Sequence, residues 1–276
     1  MLRIIALAVL LVASATASHA NPLVFSASGA NTAGIQSTVD TFRAALGTLN
    51  PNSTGSFGTG RREINWDGVP DALSAPNNLP ANFFNVNSPR GVVLSTPGTG
   101  FQVSASAASG TPVRFGNIDP TYSSQFSTFS AQRLFTALGS NVVDVSFFVP
   151  GTTTLAFTSG FGAVFADVDF PNITNIQFFD LANVLIGTVF APAGNGGLSF
   201  LGGLFTSGEQ ISRVRITSGN SALGSVESGT DLVVMDDFIY AEPRAIAITA
   251  VPEPASLGLF LLGLLLIAGF SRRNRT

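Results

Sequence analysis

Residues 142–149 read Val-Val-Asp-Val-Ser-Phe-Phe-Val, and this stretch indicates the fold class. Apolar residues recur at every second position from 143 to 149, with Asp144 and Ser146 between them. Because successive side chains of a β-strand point to opposite faces, the alternation predicts a strand with one buried and one wet face. Residues 211–216 repeat the pattern with arginines on the wet face. We therefore expect packed sheets.

Short apolar runs separated by Gly, Pro, Asn and Asp continue from Arg62 to Tyr240, which is typical of antiparallel strands joined by turns. Long helical patterns and internal repeats are missing from this region, which argues against a parallel sheet, a solenoid or a propeller. We predict an all-β domain over residues 61–245, a β-sandwich or jelly-roll-like fold. The predicted strands are Glu63–Trp66, Gly91–Ser95, Phe101–Ala105, Val113–Phe115, Arg133–Ala137, Val142–Val149, Thr153–Phe157, Ala163–Phe170, Asn175–Phe179, Val184–Phe190, Leu198–Phe205, Ile211–Ile216 and Asp231–Tyr240.

Residues 21–60 are rich in Ser, Thr, Gly and Asn and contain one helical pattern. Apolar residues recur there at spacings of four, three and four, at Ile35, Val39, Phe42 and Leu46. Gly47 follows at the position where glycine often ends a helix. We predict a short N-terminal helix that packs on the main domain.

The N-terminus has the three parts of a secretion signal. Arg3 supplies the positive charge, residues 4–12 are apolar, and Ser18 and Ala20 are the small residues before a cut at Asn21. The alternative is a membrane anchor, but the apolar run is too short to cross a hydrocarbon core of about 30 Å. We expect residues 1–20 to be a signal peptide, cleaved between Ala20 and Asn21.

Residues 246–276 combine three ordered elements: a Pro-Glu-Pro motif, an apolar run and a basic end. The run from Ala255 to Phe270 would form a helix of roughly 24 Å, a marginal transmembrane span. Arginines without acidic neighbours stay cytoplasmic, so we expect a single C-terminal transmembrane helix with the bulk of the chain outside. The residues of this predicted sorting signal are Pro252, Glu253, Pro254, Arg272, Arg273 and Arg275.

This tail resembles the PEP-CTERM sorting signal of Gram-negative bacteria, with motif, helix and arginines in the family's order. The resemblance implies recognition by an exosortase, cleavage near the motif, and release or reattachment of the exported part at the cell surface or in the extracellular matrix. It also implies association with exopolysaccharide, and a membrane anchor that is transient. The alternative is a permanent tail anchor. Residues 160–240 are similar to exported β-sandwich domains found ahead of such tails, which share no common activity.

Composition excludes several classes of function. The 276 residues contain no Cys and no Lys, and the single histidine, His19, lies in the predicted signal peptide. A Ser-His-Asp triad, a Cys-His pair, zinc ligated by His or Cys, and a Walker loop are therefore unavailable to the exported part. Between the two termini, nine arginines and fifteen acidic residues give a net charge of −6, which argues against a nucleic-acid partner. We predict a protein that is not an enzyme.

Four carboxylates remain as candidates for chemistry, in the pairs Asp167 with Asp169 and Asp236 with Asp237. We favour hydrogen bonding at turns or strand ends for all four. A structural calcium site is one alternative, because Ca²⁺ prefers carboxylate and loop carbonyl oxygens. Catalysis is the other, since a separation of about 6–7 Å along a strand suits the carboxyl pair of a glycosidase. Apart from that calcium ion, no cofactor is predicted.

Trp66 is the candidate ligand contact, in the stretch Ile64 to Gly68. Its flat ring could stack on a sugar, as one part of a carbohydrate-binding module. Burial in the core is the interpretation we favour, because tryptophan is highly buried on average. The functional prediction is a structural or adhesive surface protein, with a carbohydrate-binding module as the alternative and a carboxylate-dependent glycoside hydrolase behind it.

Overall fold

The computed structural model describes residues 21–224 and 228–246, which form strands with few helices. The all-β prediction is confirmed. The strands are β1 (Leu23–Gly29), β2 (Arg61–Ile64), β3 (Val92–Ser95), β4 (Gly100–Val103), β5 (Phe135–Leu138), β6 (Val142–Phe147), β7 (Ala156–Phe157), β8 (Gly160–Val168), β9 (Asn175–Phe179), β10 (Leu185–Phe190), β11 (Gly194–Leu204), β12 (Arg213–Thr217), β13 (Val234–Ala241) and β14 (Arg244–Ala245). The helices are α1 (Thr32–Leu46), α2 (Phe83–Val86) and α3 (Tyr122–Gln125), with 3-10 turns at Asp71–Leu73 and Ala107–Ser109.

Two sheets carry most of these strands. The first has the order β1-β11-β8-β13-β5-β4, with β2 also paired to β13, and the second has the order β10-β9-β12-β6-β3. A short pair, β7 with β14, lies beside them. The strand pairings are antiparallel, as the short apolar runs predicted.

The main core lies between the two sheets. Val143, Val145 and Phe147 of β6 are buried there, which confirms the apolar face predicted for this stretch. On the opposite face Ser146 is half-buried, and Asp144 is buried beneath Arg213 and Arg215, so this face is less wet than predicted. The ring of Phe147 lies 6.4 Å from that of Phe161 on β8 and 5.7 Å from that of Tyr240 on β13, so the sheets pack face to face. Such packing buries the inner face of each sheet.

A second core lies between the first sheet and α1. The predicted helix is confirmed, and its buried residues are the four at the predicted spacing, Ile35, Val39, Phe42 and Leu46. The side chain of Asn31 caps its N-terminus by accepting a hydrogen bond from the Ala33 N–H. Gly47 ends it with a φ of 99°, a conformation that glycine adopts without strain.

Two strand predictions were wrong. The composition of residues 21–60 predicted no strand, yet β1 pairs with β11 over its whole length and forms an edge of the first sheet. The predicted strand Val113–Phe115 is a turn, because Arg114 and Phe115 have φ values of 50° and 65°, outside the range of a strand. Phe115 is nevertheless buried in the second core.

The described residues up to Ala245 belong to one compact unit. Among the described residues, no helix is long and apolar enough to cross a membrane. The predicted signal peptide (residues 1–20) and transmembrane helix (residues 255–270) lie outside the described ranges.

Candidate functional site

Asp236 and Asp237 lie at a bulge in β13. Along β8, Met235 pairs with Phe165 and Phe238 pairs with Ala163, so three steps of β13 match two of β8. At its other edge β13 changes partner at the same place, from β5 at Met235 to β2 at Phe238. The two aspartates therefore lie in the gap along β13 between its pairing with β5 and its pairing with β2.

The Asp236 carboxylate is fully buried and holds the turn at residues 129 and 130. One oxygen accepts from the Phe129 N–H at 2.7 Å and the other from the Ser130 hydroxyl at 3.0 Å. Burial raises the pKa of Asp236 well above its ordinary value, and the adjacent charge of Asp237 raises it further. A carboxyl in such a place favours its neutral form.

Asp237 is only 3% exposed, and burial raises its pKa also. Its Oδ2 lies 3.4 Å from Nη2 of Arg43 on α1. Its Oδ1 is buried without a hydrogen-bond partner among the described residues. A buried acceptor with no donor is uncommon in native structures and calls for an explanation such as a bound water, an ion or a functional role.

A cleft of about 410 Å³ opens beside Asp237. Its walls come from α1, the loop after it, β2, the loop before β3, and the turn at residues 129 and 130. We call it the Arg90 cleft and define it by six of its lining residues: Arg43, Glu63, Arg90, Asp237, Asn52 and Asn65.

Glu63 balances the arginines on one side of the Arg90 cleft. Arg43 binds it with two hydrogen bonds, from Nε at 3.0 Å and from Nη2 at 2.8 Å, and Arg61 Nε adds a third at 2.7 Å. Paired hydrogen bonds of this kind fix both orientation and position. Glu63 and Arg43 thus form a rigid wall.

Arg90 has no such partner. Its Nε donates to the backbone oxygen of Glu63 at 2.8 Å, its Nη1 contacts the Ser88 hydroxyl, and its guanidinium lies 5.2 Å from the centre of the Phe84 ring. No carboxylate among the described residues pairs with it. Burial lowers the pKa of Arg90, and the nearby charge of Arg62 lowers it further.

The comparisons with known proteins point to the other end of the chain. Residues 250–275 match the family model of the PEP-CTERM protein-sorting motif. The chain carries a PEP-CTERM sorting motif. The PEP-CTERM prediction is therefore confirmed, and the motif implies export and surface sorting, with an exosortase as the processing partner. Neither the curated proteins nor the solved structures give a match.

The PEP-CTERM motif contains all six residues that the sequence predicted for sorting, from Pro252 to Arg275. They lie outside the described residues, as does Ala20 of the predicted signal cleavage. Asn21, the first residue after that cut, is the first described residue and is exposed.

Asp167 and Asp169 lie at the end of β8. The Asp167 carboxylate accepts from the Gly196 N–H and from the Gln125 side chain, each at 2.7 Å. Asp169 donates its own N–H to Asp231 at 3.0 Å, and burial raises its pKa. Asp231 was missed by the sequence pattern, which gave no sign that residues 169 and 231 meet.

No set of three or more Asp, Glu or His side chains within the described ranges is arranged to hold a metal ion.

Trp66 lies in the main core, and the sugar-stacking alternative for it is wrong. Only 1% of the residue is exposed, and its ring is stacked on that of Phe135 with centres 4.0 Å apart. Its Nε1 donates to the backbone oxygen of Asp236 at 2.8 Å. The rings of Phe84, Phe135 and Phe238 surround it, so it offers no face to a sugar. Trp66 instead helps to hold the β13 bulge through its hydrogen bond to Asp236.

Proposed function

We propose that the protein is a structural or adhesive component of the cell surface or extracellular matrix, associated with exopolysaccharide and without enzymatic activity. The observation that carries the proposal is the PEP-CTERM motif, which follows directly on a compact all-β unit. Export would proceed with removal of residues 1–20, a temporary anchor through residues 255–270 with the N-terminus outside, and exosortase cleavage near Pro252.

The proposed absence of catalysis draws support from the roles of the carboxylates. Asp167 and Asp236, one from each pair, use their oxygens as acceptors for backbone N–H, side-chain amide and hydroxyl groups. Such contacts hold turns in place and leave the carboxylates little freedom to move a proton. The predicted exported part also has no His, Cys or Lys.

Fractionation of the native host tests this proposal. In the wild-type strain we expect the protein in the matrix fraction. In a strain without the exosortase, it should keep its C-terminal segment and stay in the membrane fraction, because the anchor is then not removed. In a strain without exopolysaccharide, the processed protein should appear in the medium.

A matched pair of variants completes that experiment. Glu253→Gln changes the sorting motif and should trap the protein in the membrane fraction. Glu209→Gln makes the same change in the compact unit and should leave the distribution as in the wild type. Recovery of the wild-type protein from the membrane or cytoplasm alone would contradict the proposal.

Carbohydrate binding is the second candidate, and the Arg90 cleft is the observation that favours it. Calcium at the aspartate pairs is a separate proposal, supported only by the preference of that ion for carboxylate oxygens. A thermal shift or a heat signal on titration with millimolar Ca²⁺ would support it, and the absence of both would remove it.

A further inference from the structure

The Arg90 cleft has the size of a small-molecule site. Its volume of about 410 Å³ falls in the range of roughly 300–1,000 Å³ that is usual for ligand pockets. The side chains of Asn52 and Asn65 are exposed along its rim, and each amide offers both donors and an acceptor. Phe129 and Leu49 add apolar surface. This combination suits a ring that carries several hydroxyl groups, since each hydroxyl both donates and accepts.

Charge in the cleft is balanced everywhere except at Arg90. Arg43 has Glu63 as its partner, and the neighbouring Arg62 has Glu242 at 2.8 Å. Arg90 is half-buried, and its guanidinium meets a backbone oxygen, a hydroxyl and the Phe84 ring but no carboxylate of the described residues. A partly desolvated guanidinium gains most from a carboxylate, which it can bind through two parallel hydrogen bonds. The missing partner is therefore an anion that comes with the ligand.

Asp237 supplies the complementary requirement. Its Oδ1 is a buried acceptor that no group among the described residues satisfies. Leaving such an atom unsatisfied costs free energy that a donor from a ligand would recover. A hydroxyl group is a donor of the right kind, because it adds no charge beside Glu63 and Asp237.

We infer that the Arg90 cleft binds an acidic saccharide, a sugar ring that bears a carboxylate, with Arg90 on the carboxylate and Asp237 on a ring hydroxyl. The inference deepens the proposed function, on which it rests, by naming a uronic-acid polysaccharide as the matrix partner. Asn52 and Asn65 would contact further hydroxyls at the rim.

Calorimetric titration of the full-length chain tests the inference, in a detergent whose headgroup is not a sugar. The probes are a tetrasaccharide of glucuronic acid and a tetrasaccharide of glucose with the same linkage. We expect the acidic probe to bind at least about tenfold more tightly, because a hydrogen bond to a charged group is worth that much or more. Equal affinity for the two probes, or no binding of the acidic one, would overturn the inference.

Arg90→Gln should weaken the acidic probe about tenfold and leave the glucose probe unchanged. The matched control is Arg244→Gln, which removes an exposed arginine outside the cleft and should change neither affinity. If Arg90→Gln does not fold, Asn65→Ala replaces it, since that side chain is exposed and its loss should weaken both probes severalfold. Unchanged affinity in the folded variant would overturn the assignment of the cleft.

The two proposals fail separately. A protein that reaches the matrix but does not bind the acidic probe keeps the proposed function and loses this site. A protein that binds the probe but is absent from the matrix keeps the site and loses the proposed function.

Discussion

At the residue scale, the ion pair of Arg62 with Glu242 is shut off from water, with side-chain exposures of 0% and 1%. Arg62 donates to both oxygens of Glu242, at 2.8 and 2.9 Å. Its other N–H groups bind the backbone oxygens of Ser53, Gly55 and Pro89. Every donor of the guanidinium thus has an acceptor, which is the condition under which a buried pair is tolerated.

Glu242→Gln should lower the free energy of unfolding by about 3–5 kcal/mol, because it leaves a buried guanidinium without its counter-charge. Urea denaturation followed by circular dichroism measures the change. The control is Arg215→Gln, which breaks the pair with Asp144 at a side chain that is 42% exposed and should cost only about 0–1 kcal/mol. An equal loss of unfolding free energy in the two variants would contradict the expected difference between a buried and an exposed ion pair.

Asp236 gives the protein a defined pH dependence. Because its pKa is raised in the folded state, the folded protein holds this proton more tightly than the unfolded chain does. The stability that the neutral carboxyl contributes is therefore lost as the pH rises above the ordinary pKa of 3.8 and through the raised pKa of the folded state. Asp236→Asn, which mimics the neutral form, should flatten the fall of the unfolding free energy as the pH rises above 3.8.

The contrasting variant is Asp119→Asn. Hydrogen bonds from Thr121 lower the pKa of this exposed carboxyl, so its charge stabilises the folded protein above the ordinary value. Its removal should lower stability across that pH range without flattening the curve. Thermal melts at several pH values distinguish the two variants. An unfolding free energy that falls as steeply with pH in Asp236→Asn as in the wild type would contradict the role of Asp236.

At the element scale, two adjacent glycines of β11 leave room for aromatic rings on the two faces of the strand, one ring from each core. A Cβ atom at Gly202 would lie 3.0 Å from the ring of Phe42, on the side of α1. At Gly203 it would lie 2.6 Å from the ring of Phe178, on the side of the second sheet. Since neighbouring residues of a strand face opposite sides, each glycine admits one aromatic ring.

Phe42→Ala should lower the free energy of unfolding by about 3–5 kcal/mol, because a buried ring is replaced by a cavity between α1 and β11. Ser37→Ala, at an exposed position of the same helix, should change it by less than about 0.5 kcal/mol. Denaturant titration of both variants checks this. A small effect of Phe42→Ala would mean that α1 is not part of the core.

The sequence predicted elements whose side chains repeat with a clear period, such as α1 and β6. It missed β1, whose Ser- and Gly-containing sequence, Leu23–Gly29, is held as a strand by its backbone pairing with β11. The Arg90 cleft was also beyond prediction, because Arg43, Arg90 and Asp237 meet only after distant segments fold together. The bulge that places Asp237 beside that cleft has no local signal in the sequence.

At the scale of the whole molecule, the chain divides into a compact unit that ends at Ala245 and a sorting motif at residues 250–275. The motif was predictable because it is a linear signal, defined by the order of its elements along the sequence. The function of the compact unit was not predictable, because its candidate site is assembled from side chains on several elements.

The intact mass of the mature protein from its native host shows whether the C-terminal segment is removed. We predict a mass that begins at Asn21 and lacks the apolar run and the terminal arginines, as the proposed exosortase cleavage near Pro252 requires. A mass that extends to Thr276 would contradict the account and make the C-terminal segment a permanent anchor.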